Sequence, residues 1–176
     1  GKEATHVNRD AQGTRFVIDG VSFAFKPIGR FNFENLLAAI ATCRALGFQL
    51  APIAEAVATL ESVPGRLERI DEGQPFTVIV DYGPEPAALR ATYDALKLIE
   101  HRRLIHVLGS TGGGRDVSRR AVLGEMAAQQ ADVVIVTNED PYDDDPMEII
   151  NDIADAAVAT GKQDGVNLFR ILDRQE

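Results

Sequence analysis

Three short β-branched runs, at residues 76–80, 104–108 and 133–136, each lead straight into a polar turn, and stretches of helical periodicity separate them. Repetition of strand, turn and helix predicts a mostly parallel α/β sheet, Rossmann-like, with helices over both faces, because parallel strands need crossovers long enough to hold a helix. The turns are Asp81-Tyr82-Gly83-Pro84-Glu85-Pro86, Gly109-Ser110-Thr111-Gly112-Gly113-Gly114-Arg115-Asp116 and Thr137-Asn138-Glu139-Asp140-Pro141. All three are expected at the carboxyl ends of the strands, where open α/β sheets bind their ligands.

The chain before these runs reads differently. Phe16 and Ile18 alternate before Asp19-Gly20, and Val21, Phe23 and Phe25 alternate after it, which predicts a hairpin over 15–25 closed by a two-residue turn. A helix is predicted over 32–46 with Leu36, Leu37, Ile40, Cys43 and Leu46 inward and Gly47 as its stop, then a shorter one over 52–60. Ser62-Val63-Pro64-Gly65 breaks the pattern and sets an expected boundary between a domain at 1–62 and another at 63–176. Beyond it, Leu89, Tyr93, Leu96 and Ile99 mark one helix, and Val122, Met126 and Ala127 a second. A third carries Asp145 as cap, Pro146 in the first turn, Glu148 three residues after the cap, and a stripe of Met147, Ile150, Ile153, Ala154 and Ala157. A strand is predicted over 166–172 and the start of a further helix at Asp173; a parallel sheet that stops there is expected to be incomplete.

With 27 acidic and 18 basic side chains the formal charge is -9, which argues against nucleic acid and anionic membranes as partners. An apolar content of 45% suffices for a real core. The single Cys43 sits at helical spacing from Leu36, Ile40 and Leu46 and reads as a small buried hydrophobe in a reducing compartment. No apolar run approaches the ~18 residues of a spanning helix, and Gly1-Lys2-Glu3 is neither an initiator Met nor a leader. The expectation is a cytoplasmic protein, supplied as a fragment.

The glycine turn can carry chemistry, since glycines let backbone approach an anion at a helix start and Arg115 adds a forked, permanent charge beside Arg119 and Arg120. It lacks the G-x-x-x-x-G-K-[ST] spacing and a lysine, so it is not a P-loop; a tight turn that needs glycine for geometry alone is the competing explanation. Asp81, at a strand end, can bond ribose hydroxyls or serve as a turn aspartate, and position alone favours the turn. Asn138, Asp140 and Tyr142 can meet an amino or carboxylate group, yet Asn, Asp and Pro also simply form turns. The acids at 143–145 read as solvated capping residues. His6, His101 and His106 have no metal-ligand spacing, so no metal and no covalent nucleophile is assigned.

Taken in order, Gly-Arg-Phe-Asn-Phe-Glu-Asn-Leu-Leu-Ala-Ala (29–39), Val-Pro-Gly-Arg-Leu-Glu (63–68), Val-Asp-Tyr (80–82), Gly-Gly-Arg-Asp (113–116) with Arg119, Arg120 and Gly124, and a turn closed by Asp-Asp-Pro (144–146) resemble the Mur ligase family. The resemblance covers nearly everything from Phe16 onward. It implies the tail of a central ATP-binding domain (1–62) joined to most of a C-terminal, Rossmann-like amino-acid-binding domain (63–176). It also implies an ATP-dependent, ADP-forming ligase that adds an amino acid to a UDP-N-acetylmuramoyl-peptide, with ATP and Mg2+ as cofactors of the full-length enzyme and none expected on this chain alone. By the same resemblance Asn32 and Asn35 face adenine, Asp81 the ribose, and Arg66 the nucleotide from the domain junction. Arg115 would hold a carboxylate of the incoming amino acid, with Asn138, Asp140 and Tyr142 beside it.

The chain also departs from that family. Where members read Asp-Tyr-Ala-His-Thr-Pro, it has Pro84 in place of the His; where members using meso-diaminopimelate read Asp-Asn-Pro-Arg, it has Tyr142 in place of the Arg. Neither a Walker A loop nor the family's Mg2+ ligands are among these residues, so the chain alone is expected to be inactive. A non-catalytic module that keeps the fold to hold a small amino acid or peptide is the second reading. An unrelated flavodoxin-like or dinucleotide-binding protein is the third, weakened by the lack of G-x-G-x-x-G after any strand.

Overall fold

The computed structural model describes residues 3–176, and these divide into two compact units, Gly1–Gly83 with Ala91–Glu100, and Pro84–Arg90 with His101–Glu176. Of the Gly1-Lys2-Glu3 start, the first two residues lie outside the described ones.

In the first unit the hairpin forms as its alternation demands. Strands β1 (Thr5–Asp10), β2 (Gly13–Ile18) and β3 (Val21–Phe25) make an antiparallel meander, and Phe16 and Ile18 pair with Phe23 and Val21. Asp19 and Gly20 take φ of 50° and 82°, the doubly left-handed turn that matches strand twist. β1 has no sequence signal: every side chain but Val7 is polar, and all but Asp10 are exposed. Phe16 stacks on Phe23 with centroids 5.0 Å apart and meets Phe33 edge-on, also at 5.0 Å. Helices α1 (Arg30–Ala45) and α2 (Leu50–Ala58) close this core with Phe33, Leu36, Ile40, Ile53 and Val57. Leu46 is exposed, contrary to the expected stripe, because α1 ends one residue earlier and its stop at Gly47 (φ 93°) turns the chain away.

The first of the three β-branched runs is not part of a parallel sheet. Strand β5 (Val78–Val80) pairs antiparallel with β4 (Glu68–Ile70) in a ladder of its own, with Ile70 opposite Val78 and Glu68 opposite Val80. Asp71-Glu72-Gly73-Gln74-Pro75 supplies the connecting turn, Gly73 with φ 81° and Gln74 Nε2 donating to Ile70 O at 2.8 Å. A two-residue-period segment before a Gly-Pro turn was the available signal for β4. Helix α3 (Pro86–Leu96) follows β5.

The second unit holds the parallel sheet, β6 (Ile105–Leu108), β7 (Val133–Thr137) and β8 (Leu168–Ile171) in that order, with α4 (Ser118–Gln130) and α5 (Pro146–Ala159) as crossovers. Leu108 lies opposite Val136 and Val136 opposite Arg170, so the turns that follow the strands emerge at one end. Consecutive crossovers of one hand place both helices on one side of the sheet. Leu108, Val134, Val136 and Leu168 on that face are buried against them, and α4 packs on α5. The opposite face is covered in part: Val133 and Thr137 are buried there, whereas Ile105 and Val107 on β6 are 53% and 58% exposed. Val122 also points outward, and Leu123 takes its place in the core. Asp145 caps α5 as predicted, its carboxylate accepting the Met147 N–H at 2.8 Å, with Ile149, Ile150, Ile153, Ala154 and Ala157 inward. No helix follows Asp173 among the described residues, and no helix there is long and apolar enough to cross a membrane.

Candidate functional site

In the second unit the glycine turn after β6 and the 138–142 turn after β7 leave neighbouring parallel strands and pack on one another. Gly112 N–H donates to Asp140 O at 2.9 Å. A Cβ on Gly112 would stand 2.3 Å from Pro141 O, one on Gly113 2.7 Å from the Tyr142 ring, and one on Gly109 2.6 Å from Thr137 O. Three of these glycines are therefore demanded by the approach of the second turn. That is the geometric explanation of the run, realised as contact between loops. Tyr142 itself sits at φ 52°, a conformation that costs a tyrosine free energy and is held by its ring lying over Gly113.

The expected anion cradle at the start of α4 is already filled from within. Asp116 Oδ1 accepts from Ser118 N–H at 2.9 Å and from Ser118 Oγ at 2.7 Å, and these two bonds hold its carboxyl below the usual carboxylate range. Arg119 and Arg120 are buried and spent on internal partners. Arg119 donates to Glu85 at 2.8 Å and Ser110 Oγ at 3.3 Å, Arg120 to Asp152 at 2.9 Å and Asp144 at 3.3 Å. Asp144 is thus an ion-pair partner of a buried arginine rather than a solvated cap. Of the cationic cluster, Arg115 alone is exposed and without a hydrogen bond or ion pair among the described residues. Asp140 and Tyr142 are exposed in the turn that packs on the glycines, and Asn138 is half-buried with its carbonyl accepting from Arg174 Nε. The partners Glu85, Asp144 and Asp152 lie 24 to 34 residues from the arginines they hold. No local sequence pattern signals such pairs.

One polar atom in this region is orphaned: Thr137 Oγ1, at the end of β7, is buried with no hydrogen-bond partner among the described residues. Replacing it by a group of the same shape removes a desolvation penalty. Thr137→Val is expected to raise the urea midpoint, by about 1 kcal/mol of stability. A lowered midpoint would show that the hydroxyl has a partner in solution.

The four residues implied to meet a nucleotide lie in the first unit. Asn32 is buried at 5% exposure and donates to Ile28 O at 2.8 Å, and Asn35, one turn on, is exposed. Arg66 is exposed and uses Nη1 on Tyr82 O at 2.9 Å. Asp81 accepts from Leu67 N–H at 3.2 Å with one oxygen and from Thr92 Oγ1 at 2.6 Å with the other. It ties β5 to the residue before β4 and to α3. Asn35 is exposed without a side-chain hydrogen bond among the described residues, whereas Asn32, Arg66 and Asp81 already serve the chain's own backbone and side chains. No group of three or more His, Cys, Asp or Glu able to hold a metal ion exists among the described residues. A cavity of about 470 Å³, lined by Arg102, Arg103 and Asp132, lies at the amino ends of β6 and β7, away from the turns.

A three-stranded parallel sheet with a glycine turn and a polar turn leaving neighbouring strand ends is an open α/β architecture. The sequence profile described as "Mur ligase, glutamate ligase domain" matches residues 65–176, and the chain belongs to the Mur ligase family. It is 44% identical over 153 residues to the UDP-N-acetylmuramoyl-L-alanyl-D-glutamate–2,6-diaminopimelate ligase of Geobacillus thermodenitrificans, covering 86% of this chain and 30% of that protein. It is 38% identical over 187 aligned residues to the UDP-N-acetylmuramyl-tripeptide synthetase of a Roseiflexus species, covering 97% of this chain and 36% of that one. A solved UDP-N-acetylmuramoyl-L-alanyl-D-glutamate–2,6-diaminopimelate ligase superposes with a TM-score of 0.57 at 28% identity, covering 98% of this chain and 35% of the other. The chain therefore spans about a third of the length of the curated relatives it matches.

Proposed function

We propose that this chain is the amino-acid-binding part of an ATP-dependent, ADP-forming amide ligase that adds an amino acid to a UDP-N-acetylmuramoyl-peptide in peptidoglycan precursor synthesis. The kind of enzyme proposed is a UDP-N-acetylmuramoyl-tripeptide synthetase acting in the cytoplasm. The observation that carries the reading is Arg115. It is an exposed guanidinium with no hydrogen bond or ion pair among the described residues, in the turn that follows a parallel strand and packs on the 138–142 turn, in a chain of the Mur ligase family. In this reading residues 1–62 are the tail of the ATP-binding domain and 63–176 the amino-acid-binding domain, a boundary supported by the family match that begins at residue 65. Arg115 offers a forked pair of N–H donors to the α-carboxylate that every amino acid carries. Asn138, Asp140 and Tyr142 face the remainder of the amino acid. Asn35 and Arg66 contribute to the nucleotide end, with Asn32 and Asp81 bracing it. ATP, bound with Mg2+ by residues outside this set, supplies the phosphoryl group that makes a carboxylate reactive towards an amine; what this chain adds is position and charge neutralisation.

Tyr142 and the acids Glu139, Asp140, Asp143 and Asp145 favour a cationic side chain such as that of lysine over the second carboxylate of meso-diaminopimelate. A tyrosine gives one neutral hydrogen bond where an arginine gives a charge-assisted fork, a difference of about 1–2 kcal/mol, or about tenfold or more in selectivity. The test is ligation in a longer enzyme that carries this chain, with this chain alone as the inactive control. Arg115→Ala is expected to raise the amino-acid KM at least tenfold, and Tyr142→Arg to shift preference towards meso-diaminopimelate. An unchanged KM in Arg115→Ala, or meso-diaminopimelate as best substrate of the unaltered enzyme, would refute the assignment. Loss of the family's His at Pro84 and Arg at Tyr142 favours the non-catalytic binding module as second reading. Calorimetric binding of an amino acid by a longer protein that forms no ADP would establish it.

A further inference from the structure

Two arginines in the first turn of α4 are buried. A cation in the first turn of a helix faces the positive end of the dipole, and a buried guanidinium left unpaired is strongly destabilising. Yet Arg119 and Arg120 are 7% and 4% exposed there. Arg120 reaches in two directions. Nη1 donates to Asp152 Oδ2 in α5 at 2.9 Å, and Nη2 to Asp144 Oδ2 in the turn after β7 at 3.3 Å. That same Asp144 oxygen stands 2.7 Å from the place a Cβ on Gly112 would occupy, and Gly112 N–H holds Asp140 O at 2.9 Å. From the other side Arg119 grips the glycine turn itself through Ser110 Oγ and Thr111 O.

We propose that Arg120 is a positioning residue. By holding Asp144 with one nitrogen and Asp152 with another, it fixes the turn that carries Asn138, Asp140 and Tyr142 in register with the glycine turn that carries Arg115. α5 is the anchor, Asp144 the point of attachment, and the Gly112–Asp140 hydrogen bond the contact that the attachment maintains. The identity of the molecule received between the two turns rests on the amino-acid reading above; the clamp does not. Loss of the attachment leaves α4 and α5 packed through their apolar faces and frees the turn alone.

Asp144→Asn tests this, because it keeps the side chain's shape, removes the charge at the turn and leaves Arg120 paired with Asp152. Amide exchange is followed by NMR on the whole chain, alongside calorimetry with L-lysine as probe. The expected result is at least tenfold faster exchange at Gly112 with α5 core amides at Ile150 and Ile153 unchanged, and an L-lysine Kd weakened by a similar factor. Asp152→Asn, which cuts the α5 side of the clamp, is expected to speed Gly112 exchange as well; Arg120→Lys, which keeps one charge without the fork, should fall between it and the unaltered chain. Unchanged Gly112 exchange in both Asp144→Asn and Arg120→Lys would overturn the proposal, as would a uniform rise across the α5 amides, which marks an ion pair serving stability alone. If the unaltered chain binds no amino acid while Asp144→Asn still frees the Gly112 amide, the clamp stands and the amino-acid reading falls.

Discussion

Gly124→Ala is expected to destabilise the second unit by on the order of 3 kcal/mol, the reverse of what helix propensity predicts. In an exposed helix interior the exchange gains about 1 kcal/mol, since alanine loses less backbone entropy on folding. Here a Cβ would stand 2.0 Å from Ile153 O and 3.1 Å from the Ala156 Cβ, so α4 and α5 touch backbone to backbone at this point. A carbonyl oxygen in a helix cannot swing aside, and α5 has to move away by more than an ångström. Ile150, Ile153, Ala154 and Ala157, all at 0% exposure, then lose close packing together. At roughly 2–4 °C per kcal/mol for a chain of this size, the melting temperature of the unit is expected to fall by about ten degrees. Gln129→Ala, on the exposed side of the same helix, serves as control and is expected to change little. A Gly124→Ala melting temperature at or above that of the unaltered chain would show that the helices do not approach this closely.

Acid is expected to weaken the same unit well before its carboxylates protonate. His106 alternates onto the helix-covered face of β6, and burial pushes its imidazole down to about 4 from an ordinary 6.5. The folded protein thus holds His106 neutral, while the unfolded chain takes up a proton as soon as the pH drops below about 6.5. Between about pH 6.5 and 4 the unfolded state binds more protons than the native one, so stability falls as pH falls, and the loss levels off below the folded value. At 1.36 kcal/mol per pH unit the loss amounts to roughly 2 kcal/mol between pH 7 and 5. The contribution is intact above the unfolded value and disappears downward, opposite to a histidine stabilised by a carboxylate. Urea unfolding at pH 7, 6 and 5, compared between the unaltered chain and His106→Gln, isolates it. The variant's curve is expected to be flatter across that window even if its absolute stability is lower. Parallel slopes would mean that His106 is accessible to solvent and protons in the native state.

Much of this architecture is written in short-range chemistry. Alternation about Asp19-Gly20 dictates the β2–β3 hairpin, since a two-residue turn with positive φ lets both strands present Phe16, Ile18, Phe23 and Phe25 to one side. The cap at Asp145 and the apolar stripe of α5 are legible for the same reason: a cap and a period of 3.6 are properties of neighbours in sequence. The order of turns sufficed to indicate the family, to which the match over residues 65–176 assigns the chain. What the sequence left open depended on which distant segments meet. Run 76–80 reads like its two fellows, yet Glu68–Ile70 is near enough in the chain to capture it as an antiparallel partner, so it never joins the parallel ladder. The arginines at 119 and 120 read as a cationic patch because their partners lie in remote turns. Only tertiary structure decides that both are buried and paired, that the glycines of 109–113 admit a neighbouring turn, and that Arg115 is the charge left facing solvent. Local periodicity fixes what each segment becomes. Which charge is neutralised and which remains available is a property of long-range contacts, and there the energy of burying a guanidinium without a partner makes the choice.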